Sequence, residues 1–313
     1  MQTIVQTKNG KVEGCLSNQA MVFKGVPYAA PPVGDLRFRR PQEHEPWDGV
    51  RSCKEFGNSC PQADLAAQGF YAKEFYDVPL PKLSEDCLYL NIWTPADATE
   101  TSKLPVMFWI HGGAFLHGSG SEKEFDGEGL CKKGVILVTI NYRVNAFGFF
   151  AHPELEKENQ EGVSGNYGIL DQIFALKWVR ENIGAFGGDR DKITIFGQSA
   201  GCMSVQTIVS SPLSAGMMRG AILQSGGGIR ALHNTPTRTE AHEAGQKLME
   251  HLQVSTIEEL RALSAETIRD GAYACMQEAL GWTPHVDGWL LKGPVDECAE
   301  TGQIHDIAYM IGS

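Results

Sequence analysis

Apolar residues gather in short runs along this chain, at 88–93, 106–110, 135–140, 193–196, 221–224 and 308–311. Most of these runs are continuous, not alternating. That pattern predicts strands buried on both faces, as in a parallel sheet covered by helices. Between them, Ile169, Ile173, Leu176, Val179 and Ile183 recur at threes and fours, with Asp171, Gln172, Lys177, Arg180 and Glu181 turned elsewhere. The spacing predicts an amphipathic crossover helix over 168–184. Residues 2–14 alternate around Asn9-Gly10, which predicts an edge hairpin. Pro27, Pro31, Pro32, Pro41 and Pro46 exclude helix and central strand from 26–47 and leave an extended surface segment. Thr237 with Glu240, and Ser255 with Glu258, have capping-box spacing. They predict helices between about 237 and 280, within a cap-like segment of about 230–300 lying over the sheet beside a pocket. The expectation is one α/β domain over 1–313, with a mostly parallel central sheet covered by helices.

The run at 193–196 leads directly into Gly197-Gln198-Ser199-Ala200-Gly201. This G-x-S-x-G pattern fits a nucleophile elbow, in which a strand delivers a serine to a sharp turn and a helix begins behind it. Five such residues also suit an ordinary strand-to-helix turn, so the surroundings matter. The run at 106–110 ends in His111-Gly112-Gly113-Ala114. Acyl transfer through a serine passes through a tetrahedral oxyanion that needs backbone N–H groups aimed at one point, and small residues let a backbone come that close. A phosphate cradle is a rival reading, since glycine recurs at 118 and 120, but no Lys-Ser/Thr pair follows those glycines. Oxyanion loop followed by elbow serine points to an α/β-hydrolase fold, with the Ala200 N–H as one oxyanion donor and a carboxylate and histidine expected after the serine, in that order.

The wider sequence resembles the type-B carboxylesterases, the family that also holds the cholinesterases and bile-salt-activated lipases. Phe186-Gly187-Gly188-Asp189 and the stretch from Ile193 through Gly201 resemble that family's active-site signature, and Glu85-Asp86-Cys87-Leu88-Tyr89-Leu90-Asn91-Ile92 its second signature. Phe23-Lys24-Gly25-Val26-Pro27-Tyr28-Ala29, Asn141-Tyr142-Arg143 and Gly165-Asn166-Tyr167-Gly168-Ile169-Leu170-Asp171-Gln172 are similar to further blocks in the family's order. The resemblance implies Ser199 as nucleophile and Gly113 and Ala114 as loop donors of the oxyanion hole, with alanine where many relatives carry a third glycine. It implies that Arg37 pairs with Glu85, that Cys60 and Cys87 stand where secreted relatives place a disulfide, and that His111 shapes the oxyanion loop without taking a proton. It also implies that the acid and the histidine of the triad lie past residue 313, so the chain is expected to be the N-terminal part of a longer hydrolase. His233, His242, His251, His285 and His305 are not assigned the role of base, and His242 reads as a surface residue.

The expected activity is serine carboxylesterase chemistry on a small-molecule ester. A non-catalytic cholinesterase-like binding module and a lipase of the same fold are the alternatives. A net charge of −11 opposes nucleic-acid binding and docking to anionic membranes, both of which need clustered Lys and Arg. No apolar run is long enough to predict a transmembrane helix. Residues 1–5 have no basic or long apolar leader, which makes a cytoplasmic location and reduced thiols at Cys60 and Cys87 the expectation. The eight cysteines form no C-x-x-C spacing, so no metal site is expected, and no cofactor is implied. Phe70, Tyr71, Phe75 and Tyr76 either rim a substrate gorge or pack their loop onto the body.

Overall fold

The computed structural model describes residues 3–63, 81–226, 235–277 and 281–313. Its strands are β1 (Ile4–Gln6), β2 (Lys11–Glu13), β3 (Cys15–Ser17), β4 (Ala20–Pro27), β5 (Val50–Ser52), β6 (Tyr89–Pro95), β7 (Leu104–Ile110), β8 (Ile136–Ile140), β9 (Gly188–Gln198), β10 (Gly220–Gln224) and β11 (Ala308–Gly312). The helices are α1 (Glu128–Cys131), α2 (Asn145–Phe149), α3 (Pro153–Glu156), α4 (Tyr167–Asn182), α5 (Ala200–Val209), α6 (Arg238–His251), α7 (Ile257–Ala262), α8 (Ala265–Ala274) and α9 (Val295–Glu300).

Eight strands form the main sheet in the order β11-β10-β9-β7-β8-β6-β4-β3. Pairing is parallel from β8 through β7, β9 and β10 to β11, and antiparallel from β8 through β6 and β4 to β3. All six apolar runs became strands, and β8 is buried at every position. The run at 308–311 departs from the expectation of two covered faces. It forms the outermost strand among the described residues, and Met310 and Ile311 are 65% and 61% exposed.

The hairpin around Asn9-Gly10 forms, with Ile4 opposite Glu13. It does not edge the main sheet; with β5 it makes a separate three-stranded sheet. Trp178 Nε1 donates to Asn9 Oδ1 at 3.1 Å and the Lys8 N–H to Asn182 Oδ1 at 2.8 Å, fastening the hairpin to α4. That helix corrects the amphipathic expectation. Asp171 and Gln172 are fully buried, and only Lys177 and Glu181 are exposed, because polar partners from distant chain segments meet the two inward side chains. Arg143 grips Asp171 through Nε at 2.8 Å and Nη2 at 2.7 Å, and Gln172 Nε2 donates to Ser204 Oγ at 3.0 Å.

The proline-rich segment departs from the expectation in that Val26 and Pro27 end β4 and Gly34–Leu36 form one 3-10 turn; nor is it all surface, since Tyr28, Ala29, Arg37 and Phe38 are buried. Arg37 forms the implied pair, with Nε 2.7 Å from Glu85 Oε1, and its Nη1 also donates to the Arg261 and Leu263 carbonyls at 2.8 and 2.6 Å. A buried guanidinium is thereby fully engaged, and the end of α7 is tied to the proline-rich segment. The capping box at Thr237 and Glu240 is present. The second box is shifted by one residue, to Thr256 and Glu259, since that start turns Ile257 and Leu260 inward.

Candidate functional site

The register of the parallel strands builds the site. Ile110, the last residue of β7, pairs with Gly197 near the end of β9. The His111-Gly112-Gly113-Ala114 loop and the Gln198-Ser199-Ala200 turn therefore leave the sheet side by side at the carboxyl ends of neighbouring strands, where open α/β sheets place ligands. A Cβ added to Gly112 would stand 2.7 Å from the Gln198 carbonyl oxygen and 3.4 Å from Ser199 Cβ. Only a residue without a side chain lets the loop come this close.

Ser199 has φ 55° and ψ −122°, a conformation that costs a non-glycine residue on the order of 1–3 kcal/mol and persists where its surroundings enforce it. Its N–H donates to the Gln224 carbonyl of β10 at 3.0 Å, and its carbonyl accepts from Met203 N–H at 3.0 Å as α5 begins. Gly201 holds the other side of the turn: a Cβ there would lie 2.1 Å from the Ile110 oxygen. Ser199 itself is half-buried. Ala200, at the first position of α5, has no intrahelical acceptor for its N–H.

Three hydrogen bonds orient the 111–114 loop. In a trans peptide the C=O and the following N–H point in opposite directions. His111 Nδ1 lies 2.8 Å from the Gly112 oxygen, and since a carbonyl only accepts, Nδ1 carries the proton. Holding the Gly112 C=O to that side turns the Gly113 N–H to the other. The Gly113 C=O in turn accepts from the N–H groups of Leu116 at 2.9 Å and His117 at 3.1 Å, which turns the Ala114 N–H away from them. Gly113, Ala114 and Phe115 follow one another at φ 108°, 55° and 60°. Among the described residues neither the Gly113 nor the Ala114 N–H makes a hydrogen bond. Burial pushes the His111 pKa down to about 4, so the ring is neutral at ordinary pH. It stacks on Tyr142 with centroids 4.3 Å apart.

Among the described residues no side chain hydrogen-bonds Ser199 Oγ. His242 is not the free surface residue expected: its Nε2 meets Glu156 Oε1 at 2.9 Å and it is largely buried. His285 is fully buried with neither ring nitrogen partnered, and His305 Nε2 lies 2.9 Å from Ser214 Oγ. His233 and the aromatics Phe70, Tyr71, Phe75 and Tyr76 lie outside the described residues. Cys60 and Cys87 are buried free thiols, brought together as the resemblance implies. Its hydrogen bond to Cys60, followed by burial, holds the Cys87 thiol well above its usual range.

Three residues that sequence reasoning passed over hold the far side of the loop. Gln62 pairs with Gly118 in both directions, Nε2 to O at 3.1 Å and N–H to Oε1 at 2.8 Å. The Asn145 N–H donates to the Phe115 carbonyl at 2.6 Å and its Nδ2 to Pro61 O at 2.8 Å. The Tyr273 hydroxyl, from α8, donates to Leu116 O at 2.8 Å. Their only sequence signal was the position of Asn145 just after the Asn141-Tyr142-Arg143 block.

Comparison with known proteins agrees with this geometry. A family profile described as "Carboxylesterase family" matches residues 1–313. The chain is 39% identical over 309 residues to fumonisin B1 esterase of Sphingopyxis macrogoltabida, covering 98% of this chain and 54% of that protein. It is 42% identical over 273 residues to para-nitrobenzyl esterase of Bacillus subtilis (strain 168), covering 86% and 52%. A solved PNB esterase superposes with a TM-score of 0.87 at 36% identity, over 100% of this chain and 63% of that one. The carboxylesterase EST55 of Geobacillus stearothermophilus superposes at 0.86 and 39%, over 99% and 61%. The chain spans about half the length of the curated relatives it matches.

Proposed function

This chain belongs to the carboxylesterase family, and from that premise we propose that the whole protein hydrolyses carboxylic esters through an acyl-enzyme on Ser199. The single observation that carries this reading is the Ser199 turn, held at φ 55° beside a glycine loop whose approach no side chain would allow.

In the proposed reaction Ser199 Oγ attacks the ester carbonyl carbon and its proton passes to a general base. The carbonyl oxygen becomes an oxyanion held by the N–H groups of Gly113, Ala114 and Ala200. Each such donor contributes about 3 kcal/mol of transition-state stabilisation, and the N-terminus of α5 adds its positive end. Collapse of the intermediate breaks the C–O bond to the alcohol, which leaves with a proton from the base. Water then attacks the acyl-enzyme by the same route and releases the acid. The methyl group of Ala114 leaves its N–H available. The base and its carboxylate are proposed to come from the portion of the relatives' length that this chain does not span, since no described side chain hydrogen-bonds Ser199 Oγ. Short, uncharged acyl esters are the proposed substrates, para-nitrobenzyl esters among them by analogy with the named relative.

Incubating the whole protein with a fluorophosphonate and mapping the label tests the assignment. Label is expected on Ser199, and Ser199→Ala should lower kcat by on the order of 10⁵–10⁶. Label on another residue, or an active Ser199→Ala protein, refutes it. Activity that rises at an oil–water interface would favour the lipase reading.

A further inference from the structure

Helix α8 reaches the oxyanion loop through one hydroxyl. The helix is capped by Ser264 and buries Ile268, Gly271 and Ala272, which leaves Tyr273 half-buried with its ring directed into the body. Tyr273 Oη donates to Leu116 O at 2.8 Å and accepts from the Ala63 N–H at 3.2 Å. Burial raises the phenol's pKa, which keeps the donor proton in place.

We propose that Tyr273 is a positioning residue for the oxyanion hole, acting through the peptides of the loop on the Ala114 N–H. The inference rests on the reading of Ser199 as nucleophile given above. Its path consists of two peptide planes and two hydrogen bonds. The Tyr273 hydroxyl fixes the Leu116 C=O. The His117 N–H shares that peptide and must point the opposite way, where it meets the Gly113 C=O at 3.1 Å. The Ala114 N–H shares the Gly113 peptide and is thereby directed to the opposite side, which the proposed oxyanion hole takes as the side of the Ser199 turn. Hydrogen bonds in such a chain polarise one another in the same sense. Asn145 Nδ2 also approaches Leu116 O, but at 3.4 Å, and its shorter bond at 2.8 Å goes to Pro61 O. Tyr273 is therefore the closer partner of that carbonyl. Because the same hydroxyl receives the Ala63 N–H, the hole is set jointly by α8 and by the Gln62-Ala63 segment.

Tyr273→Phe in the whole protein deletes this hydroxyl and keeps the ring. The loss of one neutral hydrogen bond from the path should lower kcat about 5- to 10-fold. KM on a p-nitrophenyl ester should stay within about twofold, because the hydroxyl touches no ground-state contact that the hole supplies. A trifluoromethyl ketone, which adds to the serine to give a bound oxyanion, should lose affinity by the same factor as kcat. Rates are taken per site titrated with fluorophosphonate, so that misfolded protein does not count. Glu266→Gln, an exposed change in the first turn of the same helix, should leave all three quantities as they are. Unchanged kcat and inhibitor affinity in Tyr273→Phe would overturn the proposal. So would a kcat loss that vanishes on titration, or a rise in KM alone, since each assigns the residue a purely structural or binding role. An unmodified protein that takes no label at Ser199 would remove the premise itself, a result distinct from a labelled protein whose Tyr273→Phe variant behaves as wild type.

Discussion

Gly201→Ala is the substitution that most directly tests how strand register builds the site. The new Cβ would lie 2.1 Å from Ile110 O and 2.8 Å from His111 O. Both obstacles are backbone at the end of β7, so no side-chain rotation clears them. Carbon contacts settle near 3.5 Å, so α5 and β7 must part by roughly 1 Å. Such overpacking costs about 1–3 kcal/mol of stability. The larger effect is on rate, because the displaced helix carries Ser199 and Ala200 while the displaced strand carries the Gly112–Ala114 loop. Separating two halves of a reacting site by that distance costs on the order of 10²-fold in rate. Steady-state hydrolysis of a p-nitrophenyl ester, with urea denaturation alongside, measures both quantities on the whole protein. Gly129→Ala, where a Cβ meets nothing within 4 Å, is the matched control, expected to leave the rate unchanged. A Gly201→Ala enzyme with wild-type kcat and wild-type denaturation midpoint would refute the claim that this glycine sets the gap between turn and loop.

Two further outcomes follow from buried charge. Asp171→Asn strands Arg143, whose side chain is 3% exposed and whose Nε and Nη2 both end on that carboxylate; about 3–5 kcal/mol of stability should be lost, read as a lower urea midpoint at constant m. His285, fully buried with both ring nitrogens unpartnered, has its pKa lowered from 6.5 to about 4 by burial, against the pull of Asp287 and Glu156 and aided by His242 and Arg238. The unfolded chain therefore binds the proton more readily, so this contribution, about 3 kcal/mol at most, is present above pH 6.5 and is lost as pH falls toward 4. His111 acts with the same sign. His285→Leu should flatten the stability curve over that window, and parallel curves for the two proteins would contradict the reading.

How far the fold could be read from sequence depended on where each residue's partners lie. The six apolar runs were legible because strands covered on both sides need no polar alternation. β4 escaped because Lys24 and Gly25 interrupt it, at a bulge where the register shifts between Phe23 and Val26. There Gly25 stands at φ 64°, close enough to the Glu55 oxygen that a Cβ would meet it at 2.7 Å. α4 was legible as a helix and misjudged as amphipathic, since the partners that allow Asp171 and Gln172 inside come from 28 and 32 residues away. Local periodicity carries no record of such partners. The shift from Ser255 to Thr256 shows the same limit at the scale of one residue: both can cap, and the burial of Ile257 and Leu260 decides.

The candidate site divides along the same line. Gly112, Gly197, Gly201 and Ser199 were legible because the demand on each is local: a sharp turn and a close approach leave few residue types that fit. The bond from His111 to its neighbour's carbonyl is equally local. Gln62, Asn145 and Tyr273 were not legible, since they reach the loop across separations of 56, 29 and 157 residues and nothing in their own neighbourhoods marks them. Yet a loop with three consecutive residues at positive φ has no regular secondary structure to hold its peptides in one orientation. Its small residues permit the approach to Ser199, and the distant side chains select which way the N–H groups face once there. Permission is written in the motif; selection is distributed over the rest of the chain. The proposal for Tyr273 accordingly predicts that the protein, with its G-x-S-x-G and its glycine loop intact, loses rate through a single hydroxyl on α8.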